Sequence, residues 1–213
     1  VYTGFQFGFY YRIDLSSGKR TLIKPVHDLG ESPYRFNWQT PILLSPHNQD
    51  VIYFGTNFLH KSENQGDDWE SVSKDLTNGG KKGNVPYGTI TTISESNISE
   101  GILYVGTDDG LVHVTKNGGK TWKNISLGLP QDMWVSKVIA SSHDEKTVYV
   151  SLNGYRWDNF SPLVFKSDNY GNTWKSISSN LPFSPVNVII EDNVNQNNLY
   201  IGNDHGVYIS LNS

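Results

Sequence analysis

Cysteine is absent from this chain of 213 residues. Its absence excludes disulfide bonds, thiol nucleophiles and cysteine-ligated zinc. No run of apolar residues approaches the ~18 positions that a membrane-spanning helix needs, so we expect no insertion into a membrane. Basic residues are fewer than acidic ones, 17 against 21, and the net charge is −4. A nucleic-acid partner is not expected, because a polyanion is bound by a basic surface.

Metal-binding patterns are also missing from the sequence. The six histidines form neither an HExxH motif nor a closely spaced pair, and zinc sites are commonly built from such pairs. The glycine- and lysine-rich stretch TNGGKKGN lacks the spacing of a phosphate-binding loop. The sequence therefore predicts no metal site and no cofactor.

Turn formers and aromatic residues are abundant, with 20 glycines, 9 prolines, 12 tyrosines, 9 phenylalanines and 6 tryptophans. Aromatic and β-branched residues favour strands. No stretch of a dozen residues has the periodicity of an amphipathic helix. These features predict an all-β protein.

One octet occurs three times, as SENQGDDW (62–69), TKNGGKTW (115–122) and SDNYGNTW (167–174). Before each copy stands a short apolar strand with a tyrosine, and a fourth such strand, NLYIGN, lies near the end of the chain. A further strand precedes each tyrosine strand, and another follows each octet. Each unit thus contains four short predicted strands, with the octet as the turn between the third and the fourth. This pattern is typical of a β-propeller blade.

The octet positions fit a hairpin turn. Glycine in fifth place tolerates positive φ, and asparagine in third place can bond to its own turn backbone. The hydroxyl in first place adds a bond, and the tryptophan ring holds the turn against its blade. We therefore expect a structural role for these positions. They are Ser62, Asn64, Gly66, Trp69, Thr115, Asn117, Gly119, Trp122, Ser167, Asn169, Gly171 and Trp174.

These octets resemble the Asp-box, or BNR, repeat Ser-x-Asp-x-Gly-x-Thr-Trp. Asparagine replaces the aspartate in all three copies, and Asp68 replaces the threonine in the first. Asp-box propellers include sialidases, xyloglucan-degrading endoglucanases, photosystem assembly factors and ten-bladed sortilin-type receptors. The phrases RFNWQTPILLSPHNQDVIYFGTN and GYRWDNFSPLVFKSDNYGNTW are similar to large bacterial proteins labelled glycosyl hydrolase or sortilin-like. The resemblance implies a propeller, secreted or periplasmic, and leaves its activity open.

The units predict an arc of a larger propeller. Residues 38–77, 87–130 and 134–182 form three complete blades, and residues 1–25 and 186–213 form two partial ones, so the N-terminus is expected to be truncated. Ser210 and Asn212 begin a fourth octet. Open strand edges at both ends favour pairing with another chain, and we therefore expect self-association. The alternative is a closed ring of five blades.

Ligands of propellers usually bind at the end of the blades opposite the octet turns, or in the central channel. Loops predicted at that end combine aromatic and charged residues, and the longest of them is NGYRWDNFSP (153–162). Aromatic rings stack on sugars, and carboxylates serve glycoside hydrolysis as acid, base or nucleophile. The catalytic candidates are Asp108, Asp132 and Asp158. The ligand-binding candidates are Arg35, Trp38, Tyr87, Trp134, Tyr155, Arg156 and Trp157.

Two functions are compatible with these residues. One is a carbohydrate-active propeller that binds or hydrolyses a polysaccharide. The other is a non-catalytic propeller of the sortilin type that binds a protein or peptide. A sialidase is not expected, because that activity needs three converging arginines and a Phe-Arg-Ile-Pro motif. The sequence YRID (11–14) lacks the proline, and the remaining arginines are scattered.

Overall fold

The fold was analysed in a computed structural model that describes residues 1–83 and 86–212. Within these ranges the chain forms 18 strands in five antiparallel sheets. Asn84 and Val85, in the predicted glycine-rich loop, and Ser213, at the end of the predicted partial blade 186–213, lie outside the described residues.

Three of the sheets have four strands each, connected in sequence order. The first contains β4 (Ile42–Leu44), β5 (Ile52–Gly55), β6 (Leu59–Ser62) and β7 (Glu70–Ser71). The second contains β8 (Ile90–Glu95), β9 (Leu103–Thr107), β10 (Val112–Thr115) and β11 (Lys123–Asn124). The third contains β12 (Trp134–Ala140), β13 (Val148–Asn153), β14 (Leu163–Ser167) and β15 (Lys175–Ser176). Each octet joins the third strand of a sheet to the fourth, as the sequence predicts.

A three-stranded sheet stands at each end of the chain. The first contains β1 (Tyr2–Phe5), β2 (Phe9–Ile13) and β3 (Arg20–Leu22), and the last contains β16 (Val186–Glu191), β17 (Leu199–Asn203) and β18 (Gly206–Ser210). Between β2 and β3, the Asp14 carboxylate accepts hydrogen bonds from the backbone N–H groups of Ser16 and Ser17. This turn takes the place of an octet.

The three four-stranded sheets and the last sheet pack side by side, with contacts between their first strands. Strand β4 contacts β8, β8 contacts β12, and β12 contacts β16. These four strands therefore form the inner side of an arc. The chain is an incomplete β-propeller of three four-stranded and two three-stranded sheets, in agreement with the predicted fold class.

Hydrogen bonds within the octets explain their composition. In the first copy the Ser62 hydroxyl donates to Asn64 Oδ1 at 2.9 Å and accepts the N–H of Gly66 at 2.8 Å. Asn64 Oδ1 also accepts the N–H of Asp68 at 2.9 Å. Gly66 has a φ of 93°, in the region that favours glycine. The equivalent bonds and glycine conformations occur in the other two copies.

The octet tryptophans also connect neighbouring sheets, beyond the predicted role within one blade. Trp122 donates its indole N–H to the carbonyl oxygen of Val72 in the preceding sheet at 2.8 Å, and Trp174 donates to that of Ile125 at 2.7 Å. The indole nitrogen of Trp69 is buried and has no hydrogen-bond partner in the described part of the chain. Two of the three octets thus hold successive blades together.

Both terminal sheets expose apolar side chains that a neighbouring sheet would cover elsewhere in the arc. The exposed residues include Phe5, Phe9 and Leu22 on the first sheet and Ile190, Val207 and Ile209 on the last.

Candidate ligand-binding site

A cavity of about 490 Å³ lies on the inner side of the arc, where the first strands begin. It is large enough for a small ligand or a segment of a polymer. Its described lining consists of Gln39, Thr91, Trp134, Ser136, Asn153, Tyr155, Arg156, Asn187 and Asp204. We refer to it as the inner cavity.

Three residues of the lining reach the inner cavity through a repeated irregularity of the first strands. The antiparallel register shifts between Ile90 and Thr92, between Val135 and Lys137, and between Val186 and Val188. A β-bulge places one extra residue in a strand and turns its side chain out of the regular alternation. The residues at these shifts are Thr91, Ser136 and Asn187. Each of these three sheets therefore presents one polar side chain to the cavity from the second residue position of its bulged strand segment.

The loop after β13 supplies the aromatic and cationic part of the wall. Asn153 Oδ1 accepts the N–H of Tyr155 at 2.9 Å, and this bond starts a one-turn 3-10 helix, Tyr155–Trp157. Asp158 ends the turn in the left-handed conformation, with φ at 54°. A Cβ on Gly154 would lie 2.7 Å from the carbonyl oxygen of Asn159. The close approach of these two backbone segments requires glycine at that position.

Arg156 is positioned against the ring of Trp134. Its guanidinium carbon lies 4.6 Å from the ring centroid, which is the geometry of a cation–π interaction. Trp134 begins β12 and is paired with Asn153 across the sheet. Tyr155 is 61% exposed, and its ring meets that of Phe160 edge to face at 5.9 Å. The wall thus carries one exposed aromatic ring and one stacked cation.

Two hydrogen-bonded side-chain amides connect this wall to a carboxylate. Asn153 donates to the Oδ1 of Asn187 at 2.7 Å, and Asn187 donates to the Oδ1 of Asp204 at 2.8 Å. Ser136 donates to the carbonyl oxygen of Val186 at 2.8 Å. The bonds to Asn187 and to Val186 cross from the third four-stranded sheet to the last sheet, and the bond to Asp204 lies within the last sheet. They fix the orientation of the polar groups that a ligand would meet.

Three of the predicted ligand-binding residues, Trp134, Tyr155 and Arg156, are brought together in the inner cavity. Trp38 lies instead in a neighbouring groove of about 640 Å³, which shares Gln39 with it. The Trp38 ring packs edge-on against Phe7 at 5.2 Å. Trp157 is 39% exposed and is not part of the described lining.

Arg35 and Tyr87 are not part of the described lining of the inner cavity, and both have internal contacts. The Arg35 guanidinium donates to the Asp75 carboxylate at 2.6 Å, to the Gly88 carbonyl oxygen at 2.9 Å and to Thr77 Oγ1 at 2.9 Å. The Lys81 ammonium donates to the Tyr87 hydroxyl at 3.1 Å.

The three predicted catalytic aspartates do not meet in the inner cavity. Asp108 is buried and accepts hydrogen bonds from the N–H groups of Gly88 and Thr89 and from the Thr89 hydroxyl, at 2.9, 2.8 and 2.6 Å. Burial raises the pKa of Asp108. Asp132 and Asp158 are exposed turn residues with positive φ. We therefore assign all three to loop structure and leave them out of the proposed site.

The sequence interpretation missed Gln39, Thr91, Ser136, Asn153 and Asn187 as lining residues. A signal for three of them was present, because Thr91, Ser136 and Asn187 each directly follow a β-branched apolar residue near the start of a first strand. Among the described residues, no group of three or more histidine, aspartate or glutamate side chains is placed to hold a metal ion. No helix in the described ranges is long and apolar enough to cross a membrane.

Comparisons with known proteins place the fold among the β-propellers. No protein-family model matches the chain, and no curated protein matches it. Among solved structures, it is similar to an ancestral GH74 enzyme, with a TM-score of 0.65, 19% identity and coverage of 85% of this chain. It is also similar to GH74 enzymes from Niastella koreensis (TM-score 0.62, 17% identity) and Xanthomonas campestris (0.65, 14%), each over 99% of this chain. The Xanthomonas protein is a xyloglucanase.

The chain spans 24% of the length of the ancestral enzyme and 42% of each of the other two. At these identities the similarity shows the fold, and the activity must be argued from the inner cavity itself.

Proposed function

We propose that the chain is the glycan-binding part of a carbohydrate-active propeller and that a sugar chain occupies the inner cavity. The observation that carries this proposal is the combination of the Trp134 and Tyr155 rings with the amide chain from Asn153 to Asp204. Sugars present apolar C–H faces together with hydroxyls. Aromatic rings contact the former, while amides and carboxylates bond to the latter.

The composition of the lining favours this function over the binding of a peptide. A channel of the sortilin type would be expected to be apolar and poor in carboxylates. The described lining contains no aliphatic side chain, and five of its members are uncharged polar residues: Gln39, Thr91, Ser136, Asn153 and Asn187. A hydrophobic peptide would exclude water from these groups and offer no hydrogen bonds to their remaining donors and acceptors, which is costly.

Hydrolysis would need more than this lining provides. Glycosidases generally use two carboxylates about 5–9.5 Å apart. Of the described residues that line the inner cavity, Asp204 carries a carboxylate and the others do not. We therefore propose binding as the activity of this chain. Cleavage by the larger propeller would require a second carboxylate from outside the described lining.

We further propose that the octets are Asp-box turns in which asparagine has replaced aspartate. The support is the position of the amide oxygen, which accepts the N–H of the seventh octet residue at 2.9 Å in all three copies. An aspartate would accept the same bond. The turns lie between the third and fourth strands, and none of their positions lines the inner cavity.

Affinity electrophoresis against soluble polysaccharides, including xyloglucan, tests the proposed function. We expect at least one polymer to retard the chain. Tyr155→Ala and Trp134→Ala should each weaken that binding about tenfold, since each removes an aromatic contact with the sugar. Trp157→Ala is the matched control, because it alters the same loop outside the described lining. The proposal fails if no polymer retards the chain, or if Trp157→Ala weakens binding as much as Tyr155→Ala.

A further inference from the structure

The charge of Arg156 has no counterpart in the described part of the protein. Its guanidinium stacks on Trp134 at 4.6 Å, yet it forms no hydrogen bond or ion pair with another described residue. The other arginines with fixed positions are neutralised: Arg12 by Asp67 at 2.8 Å and Arg35 by Asp75 at 2.6 Å. Arg156 therefore presents an oriented, unpaired cation to the inner cavity.

An unpaired guanidinium in a fixed position is suited to one kind of ligand group. Its planar fork of N–H donors matches a carboxylate, with which it forms two parallel hydrogen bonds. Stacking on the indole ring restricts the rotation of the side chain, so less entropy is lost when an anion binds. The remaining lining is neutral apart from Asp204, whose Oδ1 already accepts a hydrogen bond from Asn187.

We infer that the inner cavity selects glycans that contain uronic acids. The sugar carboxylate binds to Arg156, and hydroxyls of the same or the next sugar bind to Asn153, Asn187 and Asp204. This inference rests on the proposed function and names its class of ligand. One cation beside one carboxylate, in a chain with a net charge of −4, suits isolated sugar carboxylates better than a densely sulfated polymer.

The test compares acidic oligosaccharides with their own neutral forms by isothermal titration calorimetry. Tetramers of galacturonate, glucuronate and mannuronate are each titrated beside the counterpart whose carboxyl groups have been reduced to alcohols. Each pair differs only at the group that Arg156 is inferred to bind. We expect at least one acid form to bind tenfold or more tightly than its reduced form, and this difference to shrink as salt is added.

Two substitutions assign the effect to Arg156. Arg156→Gln should remove the preference for the acid form, so that the acid and reduced forms bind to this variant with affinities within about twofold of each other. Arg20→Gln is the matched control, because it removes the same charge from an exposed residue that is not part of the described lining. It should keep the preference. Both side chains are exposed, and the thermal unfolding midpoint of each variant checks that it is folded.

The outcomes separate this inference from the proposed function. If neutral oligosaccharides bind as tightly as the acidic ones, the inference fails and the glycan-binding proposal stands. If the acid form is still preferred in Arg156→Gln, another cation recognises the carboxylate and the inference fails as well. If neither acidic nor neutral glycans bind, here or in the electrophoresis panel, both proposals fall.

Discussion

The hydroxyl of Tyr53 donates a hydrogen bond to Oε1 of Glu95 at 3.2 Å, across the boundary between the first two four-stranded sheets. The same bond recurs between Tyr149 and Glu191, also at 3.2 Å, where the third four-stranded sheet meets the last sheet. At the boundary between the second and the third four-stranded sheets, Ala140 occupies the position of the glutamate. The hydroxyl of Tyr104 at this boundary is buried and has no hydrogen-bond partner in the described ranges. The middle boundary therefore lacks the tyrosine–glutamate hydrogen bond that the other two boundaries have.

This difference between the boundaries predicts that the loss of a tyrosine hydroxyl changes stability differently at Tyr53 and at Tyr104. Tyr53→Phe should lower the free energy of unfolding by ~1–3 kcal/mol, because the bond to a carboxylate is lost and Glu95 remains buried. Tyr104→Phe should be neutral or slightly stabilising, because it removes a buried hydroxyl that makes no bond. Urea unfolding of the two variants measures the difference. Equal destabilisation by both would show that the Tyr53–Glu95 bond does not stabilise the boundary.

Two adjacent glycines in the second octet allow a second comparison of matched variants. Gly118 and Gly119 both have positive φ, 66° and 95°. A Cβ on Gly119 would lie 2.5 Å from the Val72 carbonyl oxygen in the neighbouring sheet, whereas one on Gly118 would meet no atom within 4 Å. We expect Gly118→Ala to cost ~1 kcal/mol from backbone strain and Gly119→Ala at least ~3 kcal/mol from strain and clash. Similar thermal midpoints for both variants would contradict the close packing of the two sheets.

A buried histidine predicts how stability depends on pH. His60 is 1% exposed and contacts the hydroxyls of Thr56 and Ser71, and burial lowers its pKa to about 4. In the unfolded chain its pKa returns to about 6.5. Between these values the unfolded state binds more protons, so the stabilisation present above pH ~6.5 is lost as the pH falls toward 4. His60 contributes up to ~1.4 kcal/mol per pH unit in this window.

The variant His60→Phe isolates that contribution. It should be less stable than the parent at pH 7, because two hydrogen bonds are lost, but its stability should fall less steeply between pH 6.5 and 4. His113 is also buried with a pKa lowered to about 4, so part of the slope should remain. Urea unfolding at several pH values gives both slopes, and parallel slopes would contradict the assignment to His60.

The exposed terminal sheets predict self-association. Phe5 is 74% exposed on the first sheet and Val207 is 74% exposed on the last, and apolar patches of this kind commonly mark contacts between chains. We expect light scattering to give a mass that rises with protein concentration. The double variant Val207→Asp with Ile209→Asp should lower that mass toward the monomer. A monomer at every concentration would contradict this prediction.

The fold could be predicted from the sequence because its repeated unit is local. A turn such as 62–69 specifies its own hydrogen bonds, so the pattern Ser-x-Asn-x-Gly is informative without knowledge of the rest of the chain. The partners of Trp122 and Trp174 could not be predicted in the same way. Their carbonyl acceptors, Val72 and Ile125, lie about 50 residues earlier in the neighbouring sheet and become adjacent only when the sheets pack.

The candidate site was only partly predictable for the same reason. Side-chain chemistry predicts Trp134, Tyr155 and Arg156 as ligand-binding residues, but Arg35 has the same chemistry as Arg156 and forms internal bonds. Asn187 reaches the inner cavity through a β-bulge, and a bulge reverses the side on which a residue of a strand is expected. Sequence alternation alone therefore assigns such residues to the wrong face.

Binding at the inner cavity is the central claim, and the indole N–H resonances of the six tryptophans test it most directly. A glycan that retards the chain in electrophoresis is titrated into labelled protein while these resonances are followed by NMR. The account predicts that the Trp134 resonance shifts, whereas those of Trp122 and Trp174, bonded between sheets, stay in place. A shift of Trp38 or Trp157 with Trp134 unchanged would locate the ligand elsewhere and contradict the account.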